Sequence, residues 1–249
     1  MISAENLTVE FPLYKIQKNI RFALLNTITG GRLLSDDKKY SSVTSLKNIS
    51  FKADYGDRIG LIGHNGSGKT TLLRVLAGVY APTSGNITIE GKVTPLIHQT
   101  PGMETEDSGY ENIITCGMML GMTTEQIHSK LNEIIEFSGL GEYIHLPIRT
   151  YSAGMQARLS FSLITAIEPE ILLLDEGIGA ADINFSKKAA ERAKSLVEKT
   201  NTLFLASHSF DLIKSMCNKA LVLNHGEIVY YGDLNKGINE YQKIINYEA

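Results

Sequence analysis

The sequence predicts an α/β fold with a mostly parallel sheet, an N-terminal β subdomain and an inserted α-helical subdomain. Three observations predict it. After residue 170, short apolar runs suited to buried strands alternate with helical patterns, which implies βαβ units. Earlier, the run Arg58–Ile62 opens into a glycine-rich turn and then an apolar-periodic helix. Between the two, residues 99–155 carry helical patterns and no strand-like run. The chain is therefore read as a single domain, 1–249. Its subdomains are a core of 1–98 plus 156–232, a helical insert of 99–155 and a C-terminal helix of 233–249.

In chain order, period-2 alternation of Leu7, Val9 and Phe11 marks a first strand. Residues 15–42 interrupt with a basic, partly apolar segment and a polar loop. Strands follow at Asn48–Ala53 and Arg58–Ile62, then a helix over Lys69–Ala77 and short strands at Asn86–Glu90 and Val93–Ile97. Helices are expected at Tyr110–Leu120, Thr124–Phe137 and Met155–Ile167. The alternating part runs as strand Ile171–Leu174, helix Phe185–Glu198, strand Thr202–Ala206, helix Phe210–Met216 and strands Ala220–Leu223 and Glu227–Tyr230. A last helix covers Asp233–Tyr247.

Composition excludes several classes. The chain has 249 residues, 43% hydrophobic and 20% charged, which rules out disorder and low-complexity structure. Its 24 basic and 27 acidic residues give a net charge of −3, with no basic surplus pointing to nucleic acid. Cys116 and Cys217 are too few for a disulfide framework and read as buried thiols. Charges at Glu5, Glu10, Lys15 and Lys18 break any secretory apolar segment. The uncharged stretch from Asn112 to Thr124 is too short to span a bilayer, which takes about 20 apolar residues.

Chemistry concentrates in a few motifs. Gly63-His64-Asn65-Gly66-Ser67-Gly68-Lys69-Thr70 fits G-x-x-x-x-G-K-[ST] between a buried strand and a helix, followed by Thr71. Its glycines let backbone N–H groups turn toward phosphates, and the helix start adds partial positive charge. Lys69 suits the β- and γ-phosphates of a nucleotide, and Thr70 suits Mg²⁺. The apolar strand Ile171–Leu174 ends in Asp175 and Glu176. Asp175 can hold Mg²⁺ directly or through water. Glu176 can orient or deprotonate an attacking water. His208 follows a third buried strand and suits a γ-phosphate contact. Ser152 and Gly154 open another helix, either as a plain cap or as an anion site. Residues 14–27 form a short basic amphipathic pattern, with Ile16, Ile20, Ala23 and Leu24 on one face and Lys15, Lys18 and Arg21 largely elsewhere.

With these motifs in place, the sequence resembles the ATP-binding cassette of ABC transporters, a P-loop NTPase with a RecA-like core. Gly63–Thr70 looks like Walker A, Asp175-Glu176 like Walker B with the catalytic Glu, and His208 like the switch His. Ser152-Ala153-Gly154-Met155-Gln156 looks like a degenerate signature motif, Gln99 like the Q-loop Gln that joins Thr70 and Asp175 at the metal, and Asp182 like the D-loop Asp. The aromatic that stacks on adenine falls at Phe11 by spacing, with Tyr14 as the alternative.

The resemblance is narrower than the superfamily. Residues 151–158 and 175–182, the Gly109–Ile113 stretch and the long segment between the first two strands look like the ATPase subunits of O-antigen and teichoic-acid exporters. It implies ATP and Mg²⁺, and a head-to-tail homodimer with ATP between Lys69 of one chain and Ser152 of the other. It also implies two copies of a polytopic membrane permease, a lipid-linked polysaccharide as cargo and a place at the cytoplasmic face of the membrane. No nucleic acid is expected, and no carbohydrate-binding domain after the cassette. Docking to the permease is expected around Met103–Tyr110. A non-transport ABC ATPase and a nucleotide kinase are the competing classes.

Overall fold

The computed structural model describes residues 1–13, 33–34, 41–96, 102–175 and 183–248. Its contacts gather the chain into two units, Met1–Val93 with Thr202–Ala249, and Thr94–Asn201.

The first unit holds two sheets. One is antiparallel, with strand order β2-β3-β1-β5: β1 is Ile2–Leu13, β2 Leu33–Leu34, β3 Ser41–Ala53 and β5 Ser84–Ile89. The alternation seen at Leu7, Val9 and Phe11 is the middle of β1. Ile2, Ala4, Leu7 and Val9 are buried and face the core, with register shifts near Leu7 and Val9.

The other sheet is built around β4, Arg58–Ile62. This strand pairs parallel with β8, Thr202–Ala206, and with β9, Lys219–Asn224; β10, Glu227–Asp233, pairs antiparallel with β9. Ile59–Ile62 and all of β8 are buried, as a strand covered on both faces requires. Gly60 is glycine because a Cβ there would press on Ile213 Cγ2 at 2.6 Å, so the helix Phe210–Met216 packs directly on the strand. Between β9 and β10, His225 and Gly226 form a two-residue turn. Both have positive φ (48° and 79°), as a type I′ hairpin needs. Helix α1, Lys69–Leu76, follows β4, and α7, Leu234–Glu248, follows β10.

The second unit carries α2 (Gly109–Met119), α3 (Thr124–Ser138), α4 (Ala153–Ile164) and α5 (Ile183–Lys199), with strand β7 (Ile171–Asp175) beside β6 (Val93–Leu96). The helix Phe210–Met216 of the first unit is α6. Ser108 and Glu111 close a capping box on α2, and Thr123 and Gln126 close another on α3. Ile113, Ile127, Ile134, Leu159 and Leu163 pack one core with Cys116, whose thiol burial pushes its pKa up.

Within the second unit, side chains tie its helices to one another. Arg192 of α5 pairs with Glu133 of α3 and lies over the ring of Phe137, and Phe137 stacks on Phe161 of α4. Among the described residues, no helix is long and apolar enough to cross a membrane.

Candidate functional site: a phosphate cradle and a capped helix

The loop from Gly63 to Gly68 joins the buried end of β4 to α1, and its shape is forced by its glycines. A Cβ on Gly63 would collide with the Leu223 carbonyl oxygen and Ser67 Oγ. Gly66 and Gly68 have φ of 81° and 110°, in the region other residues rarely enter. At Gly68 a Cβ would also meet Leu46 Cδ2 at 2.7 Å.

Three features make this loop a cradle for phosphate. Lys69 is 8% exposed, and its ammonium donates to the carbonyls of Gly63 (2.6 Å) and His64 (3.1 Å), so the charge is held over the loop. Helix α1 has no side-chain cap at Gly68, whereas Ser108, Thr123, Ser152 and Ser209 each cap their helices. Its first N–H groups and the helix dipole are therefore left to an anion. Finally, Ser67 Oγ and His64 Nε2 are buried polar atoms with no hydrogen-bond partner, unusual in a folded interior. Thr70 is half-buried at the helix start, and the Thr71 hydroxyl lies 2.8 Å from that of Ser45 on β3.

His208 lies at the same sheet edge. Leu61 of β4 pairs with Ala206 of β8, so Gly63 and His208 each stand two residues beyond a paired position at the carboxyl ends of parallel strands. His208 is exposed, just ahead of Ser209, whose Oγ accepts from Leu212 N and caps α6. Asp175 ends the buried run Ile171–Leu174 in the second unit.

Ser152 caps α4, its Oγ accepting from Met155 N at 3.3 Å. Ser152 and Ala153 are exposed, and Gly154, Met155 and Gln156 are half-buried, with Gln156 Nε2 3.4 Å from the Ile148 carbonyl. The chain's own packing does not call for glycine at 154. A Cβ there would meet only Ser152 Oγ, at 3.9 Å, and helical glycine costs about 0.5–1 kcal/mol against alanine. Gln99, Glu176, Asp182, Tyr14 and the basic segment 14–27 lie outside the described residues. Phe11 is half-buried near the end of β1, its ring 5.2 Å from that of Tyr80 in a T-shaped contact.

Two supports escaped the sequence reading. The His225-Gly226 turn backs the phosphate loop: Gly226 N donates to Ser67 O (2.9 Å), and the His225 and His64 rings lie 4.7 Å apart. Nothing in the sequence marks that dipeptide as a neighbour of the phosphate loop. Asn112 is the other. Buried to 1%, it accepts from Glu104 N and donates toward the carbonyls of Glu104, Asp107 and Ser108. That loop is bonded to the segment before Ser152, through Ile148 N to Asp107 O and Arg149 N to Thr105 O (both 2.9 Å).

A buried lysine, a glycine-shaped loop and an uncapped helix start define a nucleoside-triphosphate-binding protein of the P-loop class. The ABC transporter family pattern matches residues 46–179, and the chain belongs to that family as one of its ATP-binding ATPase subunits. It is 43% identical to the O-antigen export system ATP-binding protein RfbE of Yersinia enterocolitica, over 90% of this chain and 94% of that one. It is 34% identical to RfbB, the corresponding Klebsiella pneumoniae protein, over 98% of each chain. Against the teichoic acids export ATP-binding protein TagH of Lactococcus lactis, identity is 37% over 99% of this chain, but only 51% of that longer protein is spanned. Among solved structures, the ATP-binding subunit of an ABC transporter superposes with a TM-score of 0.70 at 18% identity, covering 97% of this chain and 93% of that one. A dimeric cassette bound to ADP and Pi gives 0.67 at 19%, covering 94% and 99%.

Proposed function

We propose that this chain is the ATP-hydrolysing motor of an ABC exporter that moves a lipid-linked, O-antigen-like polysaccharide across the cytoplasmic membrane. The observation that carries this reading is the nearly end-to-end similarity to the Yersinia O-antigen export protein. The TagH similarity favours a second cargo of the same kind, teichoic acid, with capsule polymer in the same class.

In this reading the N–H groups of residues 63–71 and the Lys69 ammonium hold the ATP phosphates. Thr70 and Asp175, with Gln99, would hold Mg²⁺; their hydroxyl, carboxylate and amide oxygens are the hard donors that ion prefers. When bound, the ion offsets charge on the phosphate oxygens. Glu176 orients or deprotonates the attacking water, and His208 contacts the γ-phosphate. Phe11, or Tyr14, stacks on adenine. Ser152 to Gln156, with Asp182 nearby, act on ATP bound by a second copy of the chain. The exposed cap and the open space at Gly154 support that close approach by another molecule. ATP thus joins two copies, and its hydrolysis favours their separation. A permease in two copies would receive this motion through the helical part, around Met103–Tyr110, at the cytoplasmic face of the membrane.

The test is complementation. The chain, expressed with its neighbouring permease in cells lacking their O-antigen export ATPase, should restore surface polymer, and its Glu176→Gln form should not. Lipid-linked polymer retained inside cells carrying the wild-type pair would refute the assignment.

A further inference from the structure

Tyr80 has no place in any motif above, yet it is held at three points. Its backbone N donates to the Arg74 carbonyl at 3.2 Å. Its hydroxyl accepts from Arg74 Nη1 at 2.9 Å, and the Arg74 guanidinium carbon sits 5.6 Å from its ring centroid. Its ring then meets Phe11. Arg74 belongs to α1, the helix that begins at Lys69. Backbone and side-chain bonds to one arginine leave Tyr80 little freedom of its own. The aromatic contact passes that constraint to a strand of the other sheet. A T-shaped contact with Tyr80 occupies at most one face of the Phe11 ring.

We infer that Tyr80, clamped by Arg74, is a positioning residue that fixes the Phe11 ring relative to the phosphate helix and so sets the chain's affinity for the purine base. This rests on the reading of Phe11 as the stacking aromatic. The proposal makes α1 a ruler. Its N-terminus grips phosphate, and about 7.5 Å of helix further on, at Arg74, the same element orients the base platform. Loss of the clamp should therefore loosen the base end of a nucleotide and leave the phosphate end untouched.

The experiment compares two probes by calorimetry on the purified full chain: ATP, and inorganic tripolyphosphate, which lacks the base. The variants are Tyr80→Ala, Tyr80→Phe, Arg74→Met, Phe11→Ala and the Phe11→Ala/Tyr80→Ala pair. Tyr80→Ala should weaken ATP binding about three- to tenfold, a fraction of a full stacking interaction, with tripolyphosphate binding unchanged. Tyr80→Phe and Arg74→Met, which keep the fold's apolar packing, should give smaller losses of the same kind. The double variant should bind ATP no worse than Phe11→Ala alone, because Tyr80 acts through Phe11. ATP affinity unchanged in Tyr80→Ala but reduced in Phe11→Ala would overturn the role of Tyr80 and leave Phe11 in place. Unchanged ATP affinity in Phe11→Ala would overturn the stacking assignment, and this inference with it. Equal loss of ATP and tripolyphosphate would make Tyr80 a support of the fold only.

Discussion

At the residue scale, the phosphate loop ties identity to chemistry most tightly. Lys69→Ala removes the charge held over the Gly63 and His64 carbonyls and should lower ATP affinity by about ten- to a hundredfold, the worth of a charged hydrogen bond, in direct binding measurements. Unchanged affinity would refute the cradle. Away from the site, Asp57 is 7% exposed, and both its oxygens lie 2.8 Å from Lys219 Nζ while one also accepts from Asp54 N. Lys219→Ala strands that carboxylate and should cost about 3 kcal/mol in urea denaturation. A loss under 1 kcal/mol would mean that the pair is only superficial. Neither residue formed a pattern in the sequence. The pair joins the residue before β4 to the first residue of β9, and only strand pairing brings them together.

At the scale of elements, the helical unit depends on its caps and on one buried amide. Asn112→Ala would leave four backbone contacts of residues 104–108 without their side-chain partner. It should destabilise by about 2 kcal/mol and speed amide exchange across that loop. Exchange rates unchanged there would remove Asn112 from the organising role. Lys130 of α3 donates to Ala166 O, just beyond α4, and to Glu168 (both 2.8 Å). That hydrogen bond, then the charge of Lys130, hold the Glu168 carboxyl below the usual value of 4.5. A lowered carboxylate pKa stabilises the fold above the unfolded value. The contribution is lost as pH falls through the folded one. Glu168 is mostly exposed, so the effect is small and screened by salt. Lys130→Met should therefore flatten the acid limb of the stability profile below about pH 4.5, and an unaltered limb would argue against the pairing. Element types were readable from periodicity, and β8 and α6 fall on the expected residues. The misjudged boundaries have physical causes. The first strand and β3 extend well past their apolar cores because an antiparallel sheet with one exposed face carries polar residues throughout. Helix α4 starts at Ala153, not Met155, because the Ser152 side chain caps it.

For the whole molecule, the phosphate loop and the edge-sharing His208 could be read because a spacing motif and parallel strand ends encode them locally. The His225-Gly226 backing and the contact of Tyr80 with Phe11 could not, since each depends on side chains distant in sequence. The central claim is that one chain's Lys69 and another's Ser152 share each ATP. Mixing Lys69→Ala chains with Ser152→Arg chains tests it most directly through the ATPase rate. In the mixed dimer one composite site loses both residues and the other keeps both. The account predicts that Ser152→Arg alone binds ATP normally without hydrolysing it, and that the mixture hydrolyses ATP faster than either variant by itself. Loss of ATP binding by isolated Ser152→Arg chains, with no recovery on mixing, would contradict it.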